Sequence, residues 1–205
     1  MDKAVERVLA AFEKRAQIEW KEMERMDATK TWQRLDDFLL SVGPATGQLI
    51  NLLAKEAEAK TILEIGSSYG YSTVWLAEAA RETGGKVISL EIHAGKQDHA
   101  RSATKKAGLD GLVDFRLGDA RELIAKLKGS VDFVLLDLWK DLYIPCFDLF
   151  YPKLRQGAFI VADNMIFPKT ARRHAEAYRK HIRKKPALQS VLLPVGSGLE
   201  LSRYK

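Results

Sequence analysis

Cysteine is nearly absent from this sequence: Cys146 stands alone among 205 residues. An intramolecular disulfide is therefore excluded, and a reducing, cytoplasmic compartment is expected. Long apolar runs are missing too. No stretch reaches the roughly 18 residues that cross a bilayer. Charges interrupt Met1 to Arg15, so neither a membrane span nor a secretory leader is expected. Histidine is sparse: His93, His99, His174 and His181 form no H-E-x-x-H pair, which argues against a zinc site. A triple-glycine G-x-G-x-x-G turn is lacking, which disfavours a dinucleotide. Repeats, low-complexity tracts and linkers are lacking as well, so residues 1–205 read as one domain.

What is present is an ordinary globular composition, 46% hydrophobic and 29% charged. The net charge is +6, and the excess is local. Lys169, Arg172, Arg173, Arg179, Lys180, Arg183, Lys184 and Lys185 face only Glu176 in that stretch. Such a run is either a solvated helix face or a patch for phosphates. No aromatic interleaving or nucleic-acid motif supports the second reading, so nucleic acid is not an expected partner.

Residues 1–58 read as helices. Val5, Val8, Leu9 and Phe12 recur at helical spacing, as do Trp32, Leu35, Phe38 and Leu39 after a cap at Asp27 or Thr29. A third helix starts near Pro44. Trp20, Met23, Met26 and Trp32 read as core or interface residues. From residue 59 onward, short apolar runs alternate with helical stretches. Strands are expected at Thr61–Ile65, Lys86–Glu91, Val113–Leu117, Val131–Leu136 and Ala158–Ala162. Each is followed by a helix: Tyr71–Arg81, Gly95–Ala107, Ala120–Leu127, Leu142–Leu154 and Thr170–Lys184. That alternation predicts a doubly wound α/β fold with a mostly parallel sheet. Ser190–Val195 and Leu199–Tyr204 flank Gly196-Ser197-Gly198 and predict an antiparallel C-terminal hairpin.

Residues 63–72 read L-E-I-G-S-S-Y-G-Y-S. A buried strand ends at Gly66, and after Gly70 a helix begins. Glycine there permits a tight turn and close approach to a ligand. Glu91 closes the second strand about 20 residues further on, where an acid can accept both hydrogen bonds of a ribose diol. Glu64 would repel a pyrophosphate but suits the cationic amino-acid portion of S-adenosylmethionine. The E-x-G-x-x-x-G form therefore favours that sulfonium cofactor over a dinucleotide. Asp119 and Ala120 end the third strand, where Asp119 meets either an adenine amino group or its own helix as a cap.

Strand four ends in Asp137-Leu138-Trp139-Lys140 and strand five in Asp163-Asn164. Doubly wound topology puts both ends on the rim that carries the glycine turn. Two carboxylates and a carboxamide oxygen are hard ligands, suited to Mg²⁺, with Ca²⁺ or Mn²⁺ as alternatives. Near such a cation the Lys140 amine would be pushed toward its neutral, proton-accepting form.

With these motifs the chain resembles the cation-dependent O-methyltransferases of the catechol and caffeoyl-CoA type, from about Ser41 to Tyr204. The matching stretches are residues 63–72, S-L-E-I (89–92), L-D-L-W-K-D-L-Y-I-P (136–145), A-D-N-M-I-F-P (162–168) and G-L-E (198–200). The D-x-x-K segment is closer to the catechol pattern D-H-W-K than to the plant D-A-D-K. The resemblance implies a seven-stranded sheet with a reversed last strand. It implies a metal on Asp137, Asp163 and Asn164, with Lys140 as base and Glu200 on a second substrate hydroxyl. Val42, Glu64, Gly66, Gly70, Tyr71, Ser72, Glu91, Ile92, Asp119, Ala120, Asp137 and Trp139 would surround the cofactor. Phe38, Trp139 and Pro168 would line the site of a small aromatic substrate. Leu138 departs from the catechol enzymes' histidine, and Phe38 stands where a tryptophan is usual. The expected reaction is methyl transfer to one hydroxyl of a vicinal dihydroxy aromatic. The alternative is a methyltransferase acting on RNA or protein through the basic stretch. The apolar faces of the N-terminal helices could pack on their own sheet or on a second subunit as a homodimer; both remain open.

Overall fold

Period-two alternation sorts each strand's side chains onto two faces, and both faces here are apolar. In β1 (Thr61–Ile65), Ile62 joins Phe133, Leu135 and Val161 on one side, while Leu63 and Ile65 join Val134, Leu136 and Ile160 on the other. A strand hydrophobic on both faces must be covered on both. The first face lies under α1 (Lys3–Arg25), α3 (Pro44–Glu56), α4 (Tyr71–Thr83) and α5 (Ala94–Lys106). The second lies under α6 (Ala120–Ala125), α7 (Tyr143–Phe150) and α8 (Arg172–Ile182). The computed structural model describes the backbone of residues 1–205 and every side chain except those of Ala28 and Trp32. The expectation for Trp32 lies outside the described side chains.

The remaining strands are β2 (Lys86–Glu91), β3 (Val113–Leu117), β4 (Val131–Leu136), β5 (Leu154–Ala162), β6 (Leu188–Leu193) and β7 (Leu199–Tyr204). They form one seven-stranded sheet in the order β3-β2-β1-β4-β5-β7-β6. The first five strands run parallel, and β7 is antiparallel to both β5 and β6. The doubly wound sheet and its reversed hairpin are as the alternation predicts.

Three expectations change. The apolar spacing through Leu39 predicts one helix, but α2 (Ala28–Gln33) stops early and a 3-10 turn covers Leu35–Asp37. Tertiary hydrogen bonds replace the helical ladder. Glu19 accepts from the Leu39 amide at 2.7 Å, and the Tyr69 hydroxyl donates to the Asp37 carbonyl at 3.2 Å. Of the two cap candidates, Asp27 accepts from the Lys30 amide at 2.9 Å. The expected helix over Leu142–Leu154 is cut to α7 with a 3-10 turn on each side, and β5 begins at Leu154. Pro152 supplies no N–H to prolong the helix. Gly157, at φ +87°, accommodates the irregular pairing at the start of β5. Finally, of the core and interface alternatives for Trp20, the core is set aside: it is half exposed, and its indole donates to Glu24 at 2.9 Å.

Candidate active site

The carboxyl ends of the parallel strands are laced into one rim. The amides of Gly66 and Ser67 donate to Leu90 O at 3.0 and 3.2 Å. Asp137 N donates to Ile65 O at 2.9 Å and Asp163 N to Leu136 O at 3.1 Å. Between β1 and β4 the winding direction reverses, which is where a doubly wound sheet opens a crevice. Gly66 sits at that point with φ +94°, and a Cβ there would collide with the Asp137 carbonyl oxygen. Glycine is thus required both by its backbone angle and by the close approach of β4. Gly70, at φ +98°, precedes the first residue of α4.

On the β4–β5 side, Asp163 is 2% exposed. Burial, then the charge of Asp137, push its carboxyl up to about 7. Its Oδ1 is buried and has no hydrogen-bond partner among the described residues. Asn164 follows in a left-handed conformation, φ +57°. Lys140 Nζ lies 3.0 Å from Asp137 Oδ1, 2.8 Å from Leu138 O and 2.8 Å from the Tyr143 hydroxyl. A buried, partnerless carboxylate oxygen beside a second carboxylate is an arrangement that a hard cation satisfies. Asp137, Asp163 and Asn164 therefore fit a divalent cation.

On the cofactor side the structure redistributes several expected roles. Glu91 Oε2 accepts from the Ser68 amide at 2.8 Å, and Oε1 accepts from the amides of Ile92 and His93 at 2.9 Å. A carboxylate has about four acceptor sites, so room remains for a ribose hydroxyl. Ile92 beside it is exposed. Glu64 differs from expectation. Alternation turns it onto the α4 face, fully buried, where Ser72, Thr73 and Ser89 hydroxyls donate to it at 2.7, 2.7 and 2.6 Å. It braces the loop from beneath. Burial outweighs the three donors and pushes its carboxyl up to about 7.

The same inward turn takes the side chains of Ser72 and Tyr71. The Tyr71 hydroxyl donates to Glu13 at 2.9 Å, and its ring packs edge-on to Phe12. What these two residues can offer a cofactor is the backbone N–H of α4's first turn, which no side chain caps. Asp119 takes the capping alternative: it accepts from the Arg121 amide at 2.8 Å and pairs with that guanidinium, which holds its carboxyl down at about 2. Ala120 opens α6 beside it. Ser67 Oγ, buried in the glycine loop and partnerless among the described residues, was not anticipated. Its only sequence signal is its place right after Gly66.

Near the ends of β4 and β5, Trp139, Ile166 and Phe167 each expose about half of their surface. Pro168 follows a cis peptide bond. The β6–β7 turn holds this segment: Met165 N donates to Gly198 O at 2.9 Å, and the amides of Ile166 and Phe167 donate to Ser197 O at 3.0 Å. That turn also meets the loop before α3, because a Cβ on Gly196 would lie 3.3 Å from Val42 O. Two residues expected at the substrate are engaged within the fold. Phe38 is packed inside at 2% exposure, with the Arg34 guanidinium 5.3 Å from its ring centre. Glu200 is fully buried opposite Ala162 and carries ion pairs to Arg179 at 3.1 Å and Arg183 at 2.7 Å. Its register turns it toward α8.

A crevice with a glycine turn on β1, an acid closing β2 and a reversed β7 defines a nucleoside-binding class of doubly wound folds. Comparison with known proteins narrows the class. A family model described as O-methyltransferase matches residues 15–205. A catechol O-methyltransferase of Niastella koreensis is 36% identical over 62% of this chain and 59% of its own length. A caffeoyl-CoA O-methyltransferase of Zinnia elegans is 31% identical over 89% of this chain and 81% of its own. The O-methyltransferase from Bacillus cereus in complex with SAH superposes with a TM-score of 0.77 at 26% identity, covering 100% of this chain and 92% of that one. The chain belongs to the class I S-adenosylmethionine-dependent O-methyltransferase family of catechol and caffeoyl-CoA type.

Proposed function

We propose that this protein transfers the methyl group of S-adenosylmethionine to one hydroxyl of a small aromatic bearing two adjacent hydroxyls, with the help of a divalent cation, magnesium first. The observation that carries the reading is the buried, partnerless Asp163 Oδ1 beside Asp137, with the Lys140 amine held on that same Asp137. When bound, the cation supplies Lewis acidity that lowers the pKa of the attacking hydroxyl.

Asp137, Asp163 and Asn164 would hold that cation. Lys140, in its neutral amine form, takes the proton from the attacking oxygen and becomes the ammonium. The oxygen's electron pair forms the new bond to the methyl carbon as the carbon–sulfur bond breaks, and the departing pair stays on sulfur as a neutral thioether. Glu91 and the first turn of α4 bind the cofactor's ribose and carboxylate. Trp139, Ile166, Phe167 and Pro168 give the aromatic ring an apolar wall, which excludes water around the reacting oxygen.

Turnover of a catechol and of the matching monophenol, with and without chelator, tests this. The catechol should react only with cation present, and the monophenol poorly. Asp137→Ala should lower turnover by about 100-fold or more while calorimetry still detects S-adenosylmethionine binding. Undiminished turnover in chelator would remove the cation from the reading.

A further inference from the structure

Tyr143 has no role in the reaction outlined above, yet it touches the parts that do. It is the first residue of α7 and fully buried. Its hydroxyl accepts from Lys140 Nζ at 2.8 Å and donates to the backbone carbonyl of Asp163 at 3.2 Å. The Lys140 ammonium also lies 4.8 Å from the centre of its ring. One side chain thus links the segment after β4, which carries the base, to the end of β5, which carries a candidate metal ligand.

We propose that Tyr143 is a positioning residue, whose hydroxyl fixes the Lys140 amine against the Asp137–Asp163 edge of the crevice. The inference rests on the reading of Lys140 as the base. Lys140 needs such a fixture. Its four-carbon stem has freely rotating bonds, and the other two contacts of its amine, to Asp137 Oδ1 and Leu138 O, lie on its own loop. Those two contacts reach β5 only through the backbone pairing of β4 with β5; the Tyr143 hydroxyl adds a side-chain link, because its second bond ends on Asp163.

Only a hydroxyl can both accept from an ammonium and donate to a carbonyl at one atom. The ring itself is immobilised. It packs edge-on to Tyr178 with centroids 5.4 Å apart. Tyr178 provides the internal contrast: it is equally buried and aromatic, but its hydroxyl has no partner among the described residues.

The experiment compares Tyr143→Phe and Tyr178→Phe with the unaltered protein and with Lys140→Met. Tyr143→Phe should lower kcat by about 10- to 100-fold, the scale of a misplaced catalytic group. KM for catechol and for S-adenosylmethionine should stay within about twofold of the unaltered values. Tyr178→Phe should leave both constants unchanged. A readout independent of turnover accompanies these rates. The Lys140 side-chain ¹⁵N resonance, assigned by its loss in Lys140→Met, should be sharp and slowly exchanging in the unaltered protein and broadened in Tyr143→Phe. Full kcat in Tyr143→Phe, an equal loss in Tyr178→Phe, or an unchanged Lys140 resonance overturns the inference. Lys140→Met turning over at full rate overturns the reading of Lys140 as base, while the resonance still decides whether Tyr143 positions that amine.

Discussion

Glu64 shows how an acid that the sequence places before the glycine turn can end fully buried among hydroxyl donors. An acid before the glycine turn suggests a partner for a cationic cofactor, but period-two alternation turns it under α4, where three hydroxyls donate to it. Its cost is desolvation. With the carboxyl raised to about 7 in the folded state, against about 4.3 in an unfolded chain, the folded protein holds this proton more tightly than the unfolded one. The contribution to stability is therefore fully present below about pH 4 and is lost as pH rises through 7. Urea unfolding of chelated protein at pH 5.5 and pH 8 should show lower stability at pH 8. Glu64→Gln should shrink that difference by about 2 kcal/mol, because only the part of the window between pH 5.5 and 7 is sampled. An undiminished difference would mean that the three hydroxyl donors keep the group ionised at both pH values.

Among the elements, β7 and α8 show a motif whose chemistry the register redirected. Residues 198–200 match the G-L-E stretch, but antiparallel pairing sets Glu200 opposite Ala162, facing α8. There it clamps Arg179 and Arg183 to the sheet and uses up two of the basic charges that dominate the 169–185 stretch. Glu200→Gln should therefore destabilise the fold by about 2 kcal/mol, the scale of lost charge-assisted hydrogen bonds whose arginines can still reach water. A lower urea midpoint with normal turnover per folded molecule is the expected pair of results. Turnover lost without any loss of stability would return Glu200 to the substrate. The strands were readable along the chain because apolar runs, glycine turns and acid-ended strands are local signals, whereas their order in the sheet came from the structure. The helix through Leu39 was misread because its apolar residues keep helical spacing while Glu19 and Tyr69, distant in sequence, capture its backbone.

For the molecule as a whole, the crevice is a place where folding brings carboxylates together at a cost. Asp163 and Glu64 are both raised, and in each case burial leads and Asp137 adds to it. A cation bound at Asp137, Asp163 and Asn164 would offset the Asp163 part of that cost only in the folded state. Linkage then predicts stabilisation by added magnesium of about 2.7 kcal/mol at a hundredfold excess over the dissociation constant. Because the cation competes with protons for Asp163, the rise in Tm should be larger at pH 8 than at pH 5.5. Asp163→Asn should nearly abolish it. Equal rises at both pH values, or in Asp163→Asn, would place the cation elsewhere.

The amino-acid order by itself determined the layers, the strand sequence, the glycine turn and the family, because each is written in neighbouring residues and obeys periods of two or 3.6. It also named Asp137, Lys140, Asp163 and Asn164, since strand ends on one rim follow from parallel winding alone. Only the tertiary structure decided which way each of the remaining site side chains turned. Glu64 went beneath the loop, Phe38 into the core, Glu200 onto α8, and Tyr143 between Lys140 and Asp163. Glu64 shares its face with Ile62 by simple alternation, but what covers that face, like the partners of the other three, depends on residues far along the chain.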